Sequence, residues 1–215
     1  MSYQKEHKSK QNKPSYHHGD LRNTLLNAAN LLLKETGIEG LSLRKLADKV
    51  GVSRTASYHH FKDKNQLLCA IAEKGFVRWQ QDAAFIFNQT ELSPKEKYRQ
   101  FFHGYISYAA DNPELYDLMF GRTIWKLNSA TNELREVAFP SFQHQVEMTK
   151  KWQEQGLMRS GEDTLRLSQV TWGTMHGIAR LLIDGIYADR SHIDEMCDCA
   201  VNLFTQHIAQ TKDHN

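Results

Sequence analysis

The sequence predicts an all-α protein, and three observations carry that prediction. Apolar residues recur at three- and four-residue spacings along most of the chain, no segment shows the alternation of a half-buried strand, and only 4 prolines interrupt 215 residues. Hydrophobic residues make up 40% of the chain and charged residues 24%, a balance that supports a sizeable core. No apolar run approaches the length of a membrane span, so no membrane partner is expected.

The elements follow in chain order. Residues 1–15, MSYQKEHKSKQNKPS, are Lys-rich and lack apolar periodicity, the pattern of a disordered basic arm. Leu21, Leu25, Ala28 and Leu32 then repeat at helical spacing, and Gly37 stops the helix. A second helix begins after Ser42, a good N-cap, with Leu41 and Leu46 at the positions of a hydrophobic staple. Leu43, Leu46, Ala47 and Val50 share one face of it, and Gly51 suits the left-handed residue that ends a helix.

Only Gly51 and Val52 separate this helix from the next, which Ser53 caps. That third helix carries Arg54, Thr55, Ser57, Tyr58, His59 and His60 with almost no aliphatic residue, so it must face water or a polar partner. Two short helices at this spacing form the unit that reads DNA by laying its second helix in the major groove; a small solvated hairpin is the competing reading. Charge favours DNA. Residues 1–65 hold 12 Lys and Arg against 6 Asp and Glu, whereas residues 66–215 hold 15 against 19, an asymmetry that the net charge of +2 conceals. Arginine suits guanine because its fork matches the O6/N7 pair. Lys64, in the first turn of a helix capped by Asp63, adds charge to a helix N-terminus, and both attract phosphate. Tyr58 either uses its ring and hydroxyl on DNA or packs into the small core.

Residues 16–76, YHHGDLRNTLLNAANLLLKETGIEGLSLRKLADKVGVSRTASYHHFKDKNQLLCAIAEKGF, resemble the DNA-binding domain of the TetR family of transcriptional regulators. The match includes L-S-L-R-K-L-A opening the second helix, G-V-S at the turn, Y-H-H-F closing the third and K-D-K-x-x-L-L opening the fourth. The resemblance implies that Ser42 and Arg44 meet phosphate and base edges. It further implies that Arg54, Thr55, Tyr58 and His60 form the contacting face, beside Ser53 and His59, and that Lys64 binds phosphate. Tyr16, His17 and His18 precede the first helix as in a related subgroup, which implies DNA backbone contact there. Ser57 departs from the family, which usually has leucine at this position, so a less firmly packed recognition helix is expected. Arg54 and Thr55 replace the commoner Lys and Gly, which touches sequence preference and not the act of binding.

The remaining segments are predicted as helices over Asp63–Asn88, Pro94–Asp111, Pro113–Gly121, Glu133–Gln155, Asp163–Gly185 and His192–Ala209. Pro94 and Pro113 suit first-turn positions, whereas Pro140 should kink or restart its helix. The expected organisation is a basic arm (1–15), a three-helix helix-turn-helix domain (16–62), a connecting helix (63–88) and a larger ligand-binding and dimerisation domain (89–215). Gly173 and Gly177, four apart in a helix interior, each cost about 1 kcal/mol relative to alanine, which a close helix approach would offset. With Ile178 and Leu181, and with Ile193, Cys197, Ala200, Phe204 and Ile208 striping the last helix, they predict a homodimer interface built as a four-helix bundle. The string W-G-T-M-H-G also resembles the Trp-His-Gly signature of one class of TetR C-terminal domains, supported by PELYDLMFG upstream.

Aromatic and sulfur side chains crowd the middle of this body: Phe101, Phe102, Tyr105, Tyr108, Tyr116, Met119, Phe120, Trp125, Phe139, Phe142, Met148, Trp152, Trp172 and Met175. Ordinary helical core accounts for many of them, yet large flat side chains leave gaps suited to a small molecule. The expected effector-site residues are Phe102, Tyr105, Phe120, Arg122, Trp125, Phe139, Met148, Trp152, Trp172, Met175 and His176, the effector itself being of unknown identity. Three cysteines without a signal peptide fit reduced thiols and a cytoplasmic location. The two sulfurs of Cys197 and Cys199 point to different helix faces, so no metal is expected, and no cofactor or catalytic signature appears. The expected function is a homodimeric repressor of a near-palindromic double-stranded DNA operator, released by a small, mostly apolar effector. The alternative is a DNA-binding regulator with no effector.

Overall fold

A computed structural model describes residues 18–126, 128–187 and 190–205, which form ten helices and no strand. They are α1 (His18–Gly40), α2 (Leu43–Val50), α3 (Arg54–His60), α4 (Lys64–Phe87), α5 (Pro94–Asp111), α6 (Pro113–Phe120), α7 (Arg122–Trp125), α8 (Asn132–Glu154), α9 (Thr164–Ile183) and α10 (Ile193–Phe204).

The first three helices pack together around Leu25, Leu26, Ala29, Leu33, Leu41, Leu46 and Phe61, all buried. Capping fixes their ends. The Ser42 hydroxyl accepts from the Lys45 amide at 3.2 Å, and the Ser53 hydroxyl accepts from the Ala56 amide at 3.1 Å. Gly51 lies in the left-handed region (φ 75°), the backbone that its missing Cβ makes inexpensive. Gly37 likewise leaves helical geometry (φ 65°) and breaks α1 before its last residues.

Helix α4 starts where Asp63 accepts from the Gln66 amide at 2.8 Å, while the Gln66 side chain accepts from the Lys62 amide at 2.6 Å. At a rise of ~1.5 Å per residue, its 24 residues span roughly 36 Å. It packs against α1 at one end and against α5, α6 and α8 further along. Gly75 sits where α4 crosses α6: a Cβ there would lie 2.6 Å from the Met119 sulfur and 3.1 Å from a Leu115 methyl. The Tyr108 hydroxyl donates to the Gly75 carbonyl at 3.1 Å, drawing α5 onto the same crossing.

Two expectations change here. Pro140 lies inside α8, which continues unbroken as one helix from Asn132 to Glu154, so it neither ends nor restarts the element. A four-residue helix, α7, follows Gly121 in a segment where none was predicted. No helix among the described residues is long and apolar enough to cross a membrane.

Candidate nucleic-acid interface and internal cavity

Helix α3 turns one residue inward. Ser57 is fully buried, and its hydroxyl bonds the Arg54 carbonyl at 2.8 Å and the Leu43 carbonyl on α2 at 3.4 Å. A small hydroxyl therefore replaces an apolar anchor with a polar tie to α2. With Ser57 inward, Arg54, Thr55, Tyr58 and His59 face outward, and His60 is half-buried. Tyr58 is 54% exposed, which removes its alternative role as a core residue. Core closure falls instead to Phe61, over whose ring the Arg22 guanidinium sits 5.5 Å from the centroid. Arg44 projects from α2, Ser42 and Ser53 cap the two helices, and Lys64 opens α4. Arg44, Arg54 and Lys64 form no ion pair among the described residues, whereas Lys49 is held by Glu35 at 2.8 Å. His18 begins α1; Tyr16, His17 and the basic arm lie outside the described residues.

The second feature is a cavity of about 260 Å³ between α4, α5, α6, α8 and α9, at the small end of ligand pockets. Its walls are Phe76, Trp79, Tyr105, Met119, Phe120, Trp125, Ala138, Phe139, Ser141, Phe142, Gln145 and Trp172. Tyr105, Phe120, Trp125, Phe139 and Trp172 stand where an effector site was expected. Phe102, Met148, Trp152 and Met175 do not line it. Trp152 packs on Phe87, Tyr98 and Phe101, Phe102 meets Tyr98, and Met148 and Met175 are buried elsewhere in the core. Arg122 is exposed and also outside the lining, since Gly121 turns the chain out before α7. Phe76 and Trp79 do line the cavity, on a helix that the sequence had cast only as a connector.

His176 stands behind the wall instead of in it. Trp172 donates its indole N–H to the Tyr105 hydroxyl at 3.0 Å; the Tyr105 and Tyr116 hydroxyls lie 2.8 Å apart; Tyr116 lies 2.6 Å from His176 Nδ1. Burial raises both tyrosines above the usual phenol range. Burial, with the nearby Arg180 charge, lowers His176 and keeps the imidazole neutral. Arg180 is itself held by Asp117 and Asp184.

Residues 25–71 match the family model described as bacterial regulatory proteins, tetR family, and residues 98–204 match the model described as tetracyclin repressor-like, C-terminal domain. The chain belongs to the TetR family. Its N-terminal region shares this likeness with known tetracycline repressors. It is 51% identical over 51 residues to the class A tetracycline repressor from transposon 1721 of Escherichia coli, a match covering 24% of each protein. The match to curated tetracycline repressors thus spans about a quarter to a third of their length, 24% to 35%. A structure of a protein of unknown function from Rhodococcus sp. RHA1 is 31% identical with a TM-score of 0.78, covering 90% of this chain and all of that one. The fatty acid degradation regulator FadR of Bacillus halodurans has the same fold at 16% identity, with a TM-score of 0.67, covering 87% of this chain and 96% of that one.

In this TetR-family protein the two expected dimer helices both pack on α5. Ile193, Cys197 and Ala200 are buried by that packing, so they serve this chain's own core and are not free to meet a second copy. Gly173 and Gly177 behave differently: among the described residues, no atom from beyond their own stretch of helix lies within 4 Å of where their Cβ atoms would be. Ile178, Leu181 and Phe204 are half-buried, and Ile208 lies outside the described residues. Val170 (58% exposed) and Leu203 (74% exposed) stand outward on α9 and α10. Periodicity marks which residues share a stripe, but not which stripe the neighbouring helix covers.

Proposed function

We propose that this protein is a homodimeric repressor that binds a near-palindromic DNA operator and releases it when a small, mostly apolar molecule enters the cavity. One observation carries the reading: α4 begins at Lys64, soon after α3 ends at His60, and further along contributes Phe76 and Trp79 to the cavity wall. A molecule pressing on Phe76 and Trp79 acts on the same rigid rod that seats Lys64. It shifts the DNA-binding equilibrium only to the extent that it prefers one position of that rod.

Arg44, Arg54, Thr55, Tyr58 and Lys64, with the capping Ser42 and Ser53 and the flanking His59 and His60, form the DNA contacts in this reading; His18, Tyr16 and His17 would extend them along the backbone. Dimerisation through Gly173 and Gly177 supplies the second recognition helix, about 34 Å away, that a near-palindrome requires. The cavity beside Trp172 weighs against a regulator whose interior is filled by its own side chains. The test is binding of the purified protein to its own promoter fragment. Retention of wild-type affinity at physiological salt by the Tyr58→Ala, Lys64→Ala double variant would sink the DNA face, and failure of every apolar molecule tried to release the fragment would sink the effector.

A further inference from the structure

Polar atoms are few in the cavity wall, and most of them are committed within the chain. Trp125 gives its N–H to the Met119 carbonyl at 2.7 Å, and Trp172 gives its own to the Tyr105 hydroxyl at 3.0 Å. That hydroxyl also lies 2.8 Å from the Tyr116 oxygen. The Ser141 hydroxyl donates to the Val137 carbonyl at 3.3 Å and accepts from Gln80 at 2.8 Å. No charged side chain lines the cavity. Two groups keep hydrogen-bonding capacity: the Trp79 indole N–H, which no acceptor among the described residues engages, and the Gln145 amide.

Gln145 is the group that the chain's own packing does not require. Helix α8 turns Ala138, Phe142 and Gln145 toward the cavity at helical spacing, and the same face continues through the buried Met148 and Trp152 into the core. An apolar residue would complete that face, yet a primary amide stands there, 8% exposed. Its Nε2 donates to the Ser168 carbonyl at 3.4 Å, a long contact, and that carbonyl already accepts from the Thr171 hydroxyl at 3.1 Å. The contact does fix the orientation of the amide, because Oε1 turned to the same place would meet the carbonyl oxygen against oxygen. It leaves Oε1 without a donor and the second N–H without an acceptor among the described residues. A buried amide so poorly paired is costly, and a polar guest beside it removes the cost.

We propose that Gln145 is the specificity-determining residue of the cavity, and that the guest is an uncharged aromatic molecule whose edge carries a donor beside an acceptor, as in the cis-amide of a lactam or pyridone. The proposal rests on the cavity being the effector site. An amide edge meets Oε1 with its N–H and the free Gln145 proton with its carbonyl, so neither group of the side chain stays unpaired. A guest with a donor alone or an acceptor alone satisfies half of Gln145, and a hydrocarbon satisfies none of it. Trp79, a donor only, can serve a guest's carbonyl but not its N–H. An anion meets no cation and must shed its hydration into an apolar space. The rings of Phe120, Phe142 and Trp172 take the flat body of the guest.

Two probes of nearly one shape test this: carbostyril, a bicyclic lactam, and naphthalene, its hydrocarbon counterpart. Each is titrated into the full chain and followed by tryptophan fluorescence, and the quantity read is the ratio of the two affinities. In Gln145→Met and in Gln145→Leu, each shown folded by circular dichroism, the ratio of carbostyril to naphthalene affinity is expected to fall about five-fold or more, the scale of one hydrogen bond. Without a guest the same variants should melt no lower than the wild type, since an apolar side chain of similar size replaces an amide that the chain leaves largely unpaired. An unchanged ratio in both variants overturns the proposal, as does a ratio that falls only in Trp79→Phe. A lower melting temperature in both makes Gln145 a structural residue and overturns it as well. A wild type that binds neither probe removes the effector-site reading itself, and the proposal falls with it.

Discussion

Ser57 shows how one side chain places the others on its helix. A leucine there would anchor α3 by burial alone, whereas the serine gives its one hydroxyl proton chiefly to the Arg54 carbonyl of its own helix at 2.8 Å, with the Leu43 carbonyl of α2 at 3.4 Å as a weaker second acceptor. Ser57→Ala is expected to lower unfolding stability by about 1 kcal/mol, the net value of a buried hydrogen bond, as read from denaturant midpoints. The outward residues divide by chemistry. Lys64→Ala removes one point charge near phosphate from each half of the proposed dimer and is expected to lower the steepness of log affinity against log salt by about 1.8, about 0.9 per contact. Tyr58→Ala should weaken binding without changing that slope, because an uncharged side chain displaces no counterion. Titrations of a promoter fragment at several salt concentrations check both, and a slope change in Tyr58→Ala of the same size would contradict the assignment. The caps were legible because capping is local: Ser42, Ser53 and Asp63 each bond an amide three residues on. The inward position of Ser57 was legible only through the leucine usual in the family at that place, whereas the approach of its hydroxyl to the Leu43 carbonyl was not, since it depends on where α2 lies.

At the scale of elements, the limits of α4, α5, α6, α8 and α9 lie within one or two residues of those expected, because Pro94, Pro113 and the capping side chains mark starts whatever the tertiary context; α1 runs three residues past the expected stop at Gly37, and the expected Ala209 end of the last helix lies outside the described residues. Pro140 misled because a proline is incompatible with only one turn of helix, and α8 has enough packing on α4 and α9 to carry it. The role of α4 was half legible. Its N-terminal charge was visible in Asp63 and Lys64, but Phe76 and Trp79 became cavity walls only through the approach of α5, α6 and α8. That approach is closest at Gly75, which no periodicity argument could single out. Gly75→Ala forces a Cβ onto the Met119 sulfur, and Met119 lines the cavity. Overpacking of this kind costs about 1–3 kcal/mol, so a lower melting temperature is expected together with weaker binding of any cavity guest. Unchanged guest affinity in a destabilised Gly75→Ala protein would show that the α4–α6 crossing and the cavity are independent.

For the whole molecule, the open question is what covers α9 and α10. Gly173 and Gly177 leave a smooth strip against which no other described residue packs, and Val170 and Leu203 stand exposed on α9 and α10. Two glycines in a helix interior sacrifice about 1 kcal/mol each relative to alanine, and no close contact among the described residues offsets that loss. A second copy crossing at the glycines would, since two helices lacking Cβ atoms approach closely and bury the adjoining apolar side chains. The buried trio Ile193, Cys197 and Ala200 plays no part in this contact, so substitutions there should damage folding before they damage association. Gly177→Leu separates the two effects. Its side chain enters space that no described residue occupies, so the melting temperature of the isolated subunit should barely move, while the proposed dimer should dissociate at concentrations where the wild type remains paired. Sedimentation velocity across a dilution series reads the second effect directly, and operator affinity should fall in step, because one recognition helix alone contacts too few base pairs to hold a site. A Gly177→Leu protein that sediments as the wild type does at every concentration would place the interface elsewhere on the molecule.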